Sequence, residues 1–193
     1  MIRKATINDL ENIYSLYQAN SLDISRATDA AYATKVQHDG FLVALDNKDD
    51  IRERIQTNFL FNVYGLDGKV AGFITINKEV YFPEDSDNIM WFNNKLKAIY
   101  YHSDTFMTLH EIIVDQTYKG KGIGKMLLED SLKTLKEKKY TDLFSIVTTG
   151  PVTNCASLLF HTRNGFERAC VSMPDDLFGL KNYQSLLFHK QIK

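Results

Sequence analysis

An apolar run, Ile112-Ile113-Val114, passes through Asp115-Gln116-Thr117-Tyr118 into Lys119-Gly120-Lys121-Gly122-Ile123-Gly124-Lys125. There, three alternate glycines open a segment of helical period that continues to Lys139. A glycine in a helix is destabilising by roughly 0.5–1 kcal/mol relative to alanine, so three at a helix start make sense where bare backbone is wanted. Strand, glycine turn and helix together aim several N–H groups at one point, where the helix dipole adds partial positive charge. Lys119, Lys121 and Lys125 add formal charge beside them. The segment is a cradle for a phosphate. It also constrains the fold, because a strand feeding a helix in this way is half of a parallel α/β unit.

The rest of the chain continues that unit. Phe106–Val114, Asp142–Thr148, Phe166–Val171 and Tyr183–His189 read as strands, and Gly122–Lys139 and Asn154–Arg163 as the helices between them. Upstream, Ile2–Ala5 alternates. Leu10, Ile13, Leu16 and Tyr17 mark an amphipathic helix capped by Thr6, Asn8 or Asp9, and 21–57 is polar and helical in tone. Phe59–Tyr64 and Val70–Ile76 flank Asp67-Gly68, a hairpin signal. Residues 78–105 break the pattern with Pro83, Glu84, Asp85, Asp87, Tyr81, Phe82, Trp91, Phe92, Tyr100 and Tyr101. They are expected to form an aromatic-rich insertion with a helix near 88–99, serving as core padding or as a lid. The expectation is one α/β domain over 1–193, its mixed twisted sheet of about six or seven strands flanked by helices.

Composition closes off other classes. With 193 residues, 44% apolar and 24% charged, the chain can bury a core without staples. Lys+Arg 23 against Asp+Glu 24 leaves a net charge of −1, which argues against a nucleic-acid partner. No run approaches the ~18 apolar residues of a membrane span, and MIRKATINDLENIY has no apolar signal region, so a cytoplasmic protein is expected. Cys155 and Cys170 read as small hydrophobes, and no His/Cys spacing suits a metal.

Known phosphate fingerprints fail on spacing. GxGxxG from Gly120 needs glycine at Lys125; a P-loop ending in Gly124-Lys125 needs glycine at Lys119 and Ser or Thr at Met126. The stretch from Tyr118 to Gly124 instead resembles the signature of the GNAT N-acetyltransferase superfamily, Arg/Gln-x-x-Gly-x-Gly/Ala after a strand of the Leu-x-Val type. Ile112-x-Val114 supplies the strand, Gly122-x-Gly124 the turn, and Lys119 stands where Arg or Gln is usual. Asn154, with Gly165-Phe166 eleven residues on, resembles the family's helix-to-strand unit.

The resemblance implies a cleft between two splayed central parallel strands that binds acetyl-CoA as cosubstrate. The backbone of Ile112 and Val114, with Ile113 between them, would pair with the pantetheine. N–H groups from Lys119 through Gly120, Lys121, Gly122, Ile123, Gly124 and Lys125 would hold the pyrophosphate, and the Asn154 side chain would meet the pantetheine. The acceptor would be a primary amine of a small molecule or peptide, and a homodimer is the family habit. An alkyl ammonium of pKa about 10 is only about 0.1% neutral at pH 7, so a base is expected. Glu111 is the first candidate and His110 the second, and strand alternation allows only one of them into the cleft. The backbone N–H of Val114 would hold the thioester oxygen. Where the family often has a tyrosine acid this chain has His161, whose imidazolium could protonate the thiolate at its ordinary pKa, unless the thiolate, of pKa about 8–9, leaves to solvent. That departure leaves a second reading open, a non-catalytic acyl-CoA-binding or sensor domain.

Overall fold

Capping side chains divide the chain into its helices. Asp29, Asn47, Asn93 and Asn154 each accept backbone N–H groups of the turn they precede. In this computed structural model, which describes residues 1–43 and 46–193, the elements are β1 (Ile2–Lys4), α1 (Leu10–Ala19), α2 (Ala30–Asp39), α3 (Lys48–Thr57), β2 (Leu60–Leu66), β3 (Lys69–Asn77), β4 (Ile89–Trp91), α4 (Asn94–His102), β5 (Phe106–Val114), α5 (Ile123–Glu137), β6 (Asp142–Gly150), α6 (Cys155–Arg163), β7 (Glu167–Ser172), β8 (Asp175–Leu177) and β9 (Leu180–Gln191).

The sheet runs β1-β2-β3-β5-β6-β9-β7-β4, with β8 paired to β9. Among these strands every pairing is antiparallel except β5 with β6. Apolar side chains cover both faces. On one, Leu127, Leu128 and Leu135 of α5 pack on Ile74, Ile76, Leu109, Leu143 and Val147. On the other, α1 and α3 bring Ile13, Tyr17, Ile51 and Ile55 against Phe61 and Phe73. Beside them Leu96 and Tyr100 of α4 meet Phe106, Phe144 and Leu187.

The α/β architecture with one central parallel pair is as expected, while the strand count is higher. β4 and β8 are additions, and the helix expected near 88–99 is instead β4 followed by α4. Pairing of Ile89–Trp91 with Cys170–Ser172 supplies the backbone partners that make so short a strand viable. The aromatic segment serves both as padding and as cavity wall. Tyr100 is fully buried, whereas Phe82, Pro83 and Ile89 line the cleft described below. Among the described residues no helix is long and apolar enough to cross a membrane.

Phe144 is fully buried against the rings of Tyr100, Phe106 and His189, at centroid distances of 5.0, 5.6 and 5.0 Å. Phe144→Ala is expected to lower stability by about 3–5 kcal/mol, read from urea denaturation with an unchanged m-value.

Candidate active site

β5 and β6 share hydrogen bonds only from Phe106–Asp142 to Leu109–Ser145, although β5 continues to Val114 and β6 to Gly150. Beyond that fork the strands part, and a cavity of about 1250 Å³ opens between them. This is larger than the ~300–1,000 Å³ of an ordinary small-ligand pocket. The Asp115 N–H donates to Ala71 of β3 at 2.9 Å, so by alternation Ile113 also faces β3. The N–H and C=O groups of Ile112 and Val114 therefore point across the gap, an unpaired strand edge. Ile113, expected beside them, turns its backbone away to β3 and buries its side chain in the core under α1 and α3.

At the end of that edge lies the glycine turn. Gly122 is the N-cap of α5, at φ +78°, where a side chain would be strained, and it offers the helix no capping group. The first helical bond runs from the Met126 N–H to the Gly122 carbonyl, so the N–H groups of Ile123, Gly124 and Lys125 have no backbone partner among the described residues. A Cβ on Gly120 or Gly122 would meet nothing within 4 Å, whereas one on Gly124 would press on Phe160 at 3.3 Å. Gly124 thus lets α5 and α6 approach, and the first two keep the cradle bare. The lysines divide. Lys119 donates to the Asp39 carbonyl at the end of α2, and burial lowers its pKa against the pull of Asp39. Lys121 lies 4.9 Å from the Tyr118 ring centroid, and Lys125 is exposed beside Glu129.

Asn154, expected to meet the pantetheine, lines the cavity and is also bonded within the protein. Its Oδ1 accepts the Ser157 N–H at 3.0 Å, and its Nδ2 donates to the Phe41 carbonyl at 2.8 Å. The side chain ties the 20–43 segment over α6 and is a roof anchor.

His110 and Glu111 both reach the cavity wall, against the alternation expected of neighbours. The reason is a β-bulge. Thr75 pairs with Glu111 and Ile76 with Leu109, so His110 is the extra residue and both side chains stand on the face opposite Leu109. Their partners differ. Glu111, 13% exposed, accepts hydrogen bonds from Tyr17, from both terminal nitrogens of Arg54 and from Thr75; Arg54 also pairs with Asp46. Burial pushes the Glu111 pKa up, but the charge and hydrogen bonds of Arg54, helped by Thr75 and Tyr17, bring it below the ordinary value. This carboxylate stays ionised with its lone pairs occupied. His110, 19% exposed, joins Nε2 to the Glu79 carboxylate and rests against the Tyr81 ring at 5.4 Å. Its Nδ1 has no hydrogen-bond partner among the described residues.

His161 sits at the fork, 2% exposed, its Nδ1–H donating to the Ser157 carbonyl at 2.7 Å and its Nε2 2.9 Å from the Ser145 hydroxyl. Burial pushes its pKa down to about 4, against the Ser157 bond, which raises it. The imidazolium expected at an ordinary pKa is therefore corrected to a neutral ring that accepts from Ser145. Sequence reasoning missed Tyr17, Arg54, Thr75, Glu79 and Ser145. Arg54, beside Ile51 and Ile55 on a polar helix, carried a faint signal as a cation at the apolar edge, and the others carried none. No group of His, Cys, Asp and Glu able to hold a metal is found among the described residues.

Comparison with known proteins agrees with this fold. The sequence model of the acetyltransferase (GNAT) family matches residues 17–166. No curated protein matches the chain. Among solved structures, smu.2055 from Streptococcus mutans UA159 is similar at 17% identity and a TM-score of 0.70, covering 100% of this chain and 99% of that one. An N-acetyltransferase from Staphylococcus aureus Mu50 is similar at 19% and 0.67, covering 100% and 98%. The PaiA N-acetyltransferase from Thermoplasma acidophilum, solved in complex with coenzyme A, is similar at 19% and 0.56, covering 96% of each chain.

Two outcomes follow from the site. Gly122→Asp puts a carboxylate into the cradle with open space around its Cβ. Calorimetry should show coenzyme A affinity falling at least tenfold while circular dichroism is unchanged; equal affinity would remove the cradle from the site. For His161, the unfolded chain binds a proton below about pH 6.5 that the folded chain refuses until about pH 4. The stabilisation held by the neutral ring is complete above that window and is lost as pH falls through it. His161→Gln should flatten the fall in melting temperature between those pH values, and equal slopes would assign the acid lability elsewhere.

Proposed function

The chain belongs to the acetyltransferase (GNAT) family, and on that premise we propose that it moves an acetyl group from acetyl-CoA to a primary amine of a small molecule or peptide. The observation that carries this is the open edge of Ile112 and Val114 ending at the bare first turn of α5. That edge offers N–H and C=O groups spaced for an extended pantetheine, and the unpaired N–H groups of Ile123, Gly124 and Lys125 suit a pyrophosphate. Gly120 and Gly122 leave room there, so the residues present fit the group. Acetyl-CoA supplies the activated acyl group as a thioester. The chain's part is to hold it, to bring up a neutral amine and to set charge around the carbonyl.

His110 is the preferred base in this reading, reversing the order given to it and Glu111. With Nε2–H directed to the Glu79 carboxylate, Nδ1 is the nitrogen left with a lone pair that can accept the amine proton. Glu111 instead holds a fixed negative charge beside the acceptor, which favours an approaching ammonium. Asp46, Glu79 and Glu111 against Arg54 give this wall an anionic excess, whereas Lys119, Lys121 and Lys125 surround the cradle. That polarity suits an anionic donor at one end and a cationic acceptor at the other. The Val114 N–H remains the proposed donor to the thioester oxygen. His161, neutral, orients the Ser145 hydroxyl at the fork and leaves the thiolate, of pKa about 8–9, to depart without a charged acid. Two free cysteines fit a cytoplasmic setting.

The test is thiol release from acetyl-CoA against a panel of amines and peptides. Coenzyme A binding without release for any amine would favour the acyl-CoA sensor. His110→Ala should lower kcat at least tenfold with coenzyme A affinity unchanged. Glu111→Gln leaves Arg54 short of a partner in a buried setting and is expected to reduce stability by about 3–5 kcal/mol. A Glu111→Gln variant as stable as the parent, with kcat down tenfold and His110→Ala silent, would return the base to Glu111.

A further inference from the structure

Glu79 lies two residues past the end of β3, outside every motif that carries the family resemblance, yet it is the group that meets the bulged His110. Its backbone is fastened to β5, because the Thr108 hydroxyl donates to the Glu79 carbonyl at 2.7 Å. Two residues on, the Tyr81 N–H donates to the Tyr100 hydroxyl at 2.6 Å, and Tyr100 is itself fully buried on α4. The segment 79–81 is thus clamped at both ends, and its two side chains, the Glu79 carboxylate and the Tyr81 ring, bracket the imidazole.

From this arrangement we infer that Glu79 is a positioning residue for the acetyl transfer, fixing His110 as the tautomer with hydrogen on Nε2 and the basic lone pair on Nδ1. The inference rests on the proposed role of His110. A carboxylate can only accept, so the nitrogen that meets it must carry the proton, and the other nitrogen is then the acceptor. When Nδ1 takes a proton from the amine, the ring becomes cationic and the adjacent carboxylate opposes that charge. No atom of Glu79 changes its bonding. Its side chain is 43% exposed, so solvent screening makes the pair worth little to stability. Its effect is directional. The bulge explains why such a partner is needed. It moves His110 out of register with β3, leaving the ring without the cross-strand neighbour that would otherwise fix it.

The experiment combines kinetics with a ring-nitrogen signature. In the parent protein, long-range nitrogen-15 spectra, with the His110 signal identified by its loss in His110→Ala, should show hydrogen on Nε2. In Glu79→Ala that signal should move toward the mixed-tautomer position. Glu79→Gln should lower kcat about tenfold or more while KM for the amine and the Kd for coenzyme A change less than twofold, and Glu79→Asp should recover part of the loss. In a His110→Ala background Glu79→Gln should have no further effect, because the two act as one unit. An unchanged tautomer in Glu79→Ala overturns the inference. So does a rise in amine KM at constant kcat, which would make Glu79 a substrate contact, or a full tenfold loss persisting without His110. If the parent releases no thiol with any amine, the functional reading fails instead, and the nitrogen spectra still report whether Glu79 sets the ring.

Discussion

Two central strands that stop bonding to each other while continuing as strands are the condition on which this molecule's arrangement depends. Buried backbone N–H and C=O groups are almost always paired, and a strand edge in the middle of a sheet is where an unpaired row is least expected. Past Leu109 and Ser145 the facing edges of β5 and β6 have lost one another. β6 keeps β9 on its far side and β5 keeps β3, so both strands hold their shape without closing the gap. The interior of the sheet is thereby turned into a lined cavity. The Ser145 hydroxyl, which donates to His161 and lies 3.2 Å from the Leu109 carbonyl, marks where the pairing ends.

The bulge at His110 falls one residue past this fork. A bulge bends and twists the strand that carries it, and here it also places two chemically different side chains on one face. What separates their roles is the set of partners each meets. Glu111 faces Arg54, Tyr17 and Thr75, contacts that fill its lone pairs and keep it charged. His110 faces a single carboxylate and one aromatic edge. Glu111 is bonded on several sides, whereas Nδ1 of His110 meets no hydrogen-bond partner among the described residues.

Local order carried the sequence reading a long way. Phe106–Val114 and the α5 segment were legible because their alternation, glycines and helical period act over a few residues, and Asn154 was rightly placed at a helix start. What was not legible came from distance. Tyr17 reaches Glu111 across 94 positions and Arg54 across 57, and nothing near Glu111 announces either. Alternation gave the wrong answer for His110 because a bulge is set by the register between β3 and β5. Ile89–Trp91 looked helical in continuity with α4, and its pairing with β7 decided otherwise. The bond from the Asn154 carboxamide to Phe41, 113 positions away, likewise left no mark in the residues around it.

That last contact bears on how the cavity is roofed. Asn154 on α6 and Lys119 in the glycine turn both donate to carbonyls at the C-terminal end of α2 and just beyond it, Phe41 and Asp39. The final carbonyls of a helix have no internal partners and carry partial negative charge, so a lysine there satisfies two needs at once. The two attachments come from opposite sides of the gap, one beyond β5 and one beyond β6. The 20–43 segment therefore spans the parted strands, and Leu22, Val36 and Phe41 join Val152, Leu180 and Tyr183 in a small core of their own. The gap between β5 and β6 is thus crossed by a bridge tied down on both sides, and Phe41 and Leu42 of that bridge line the same cavity as the bare edge of Ile112 and Val114.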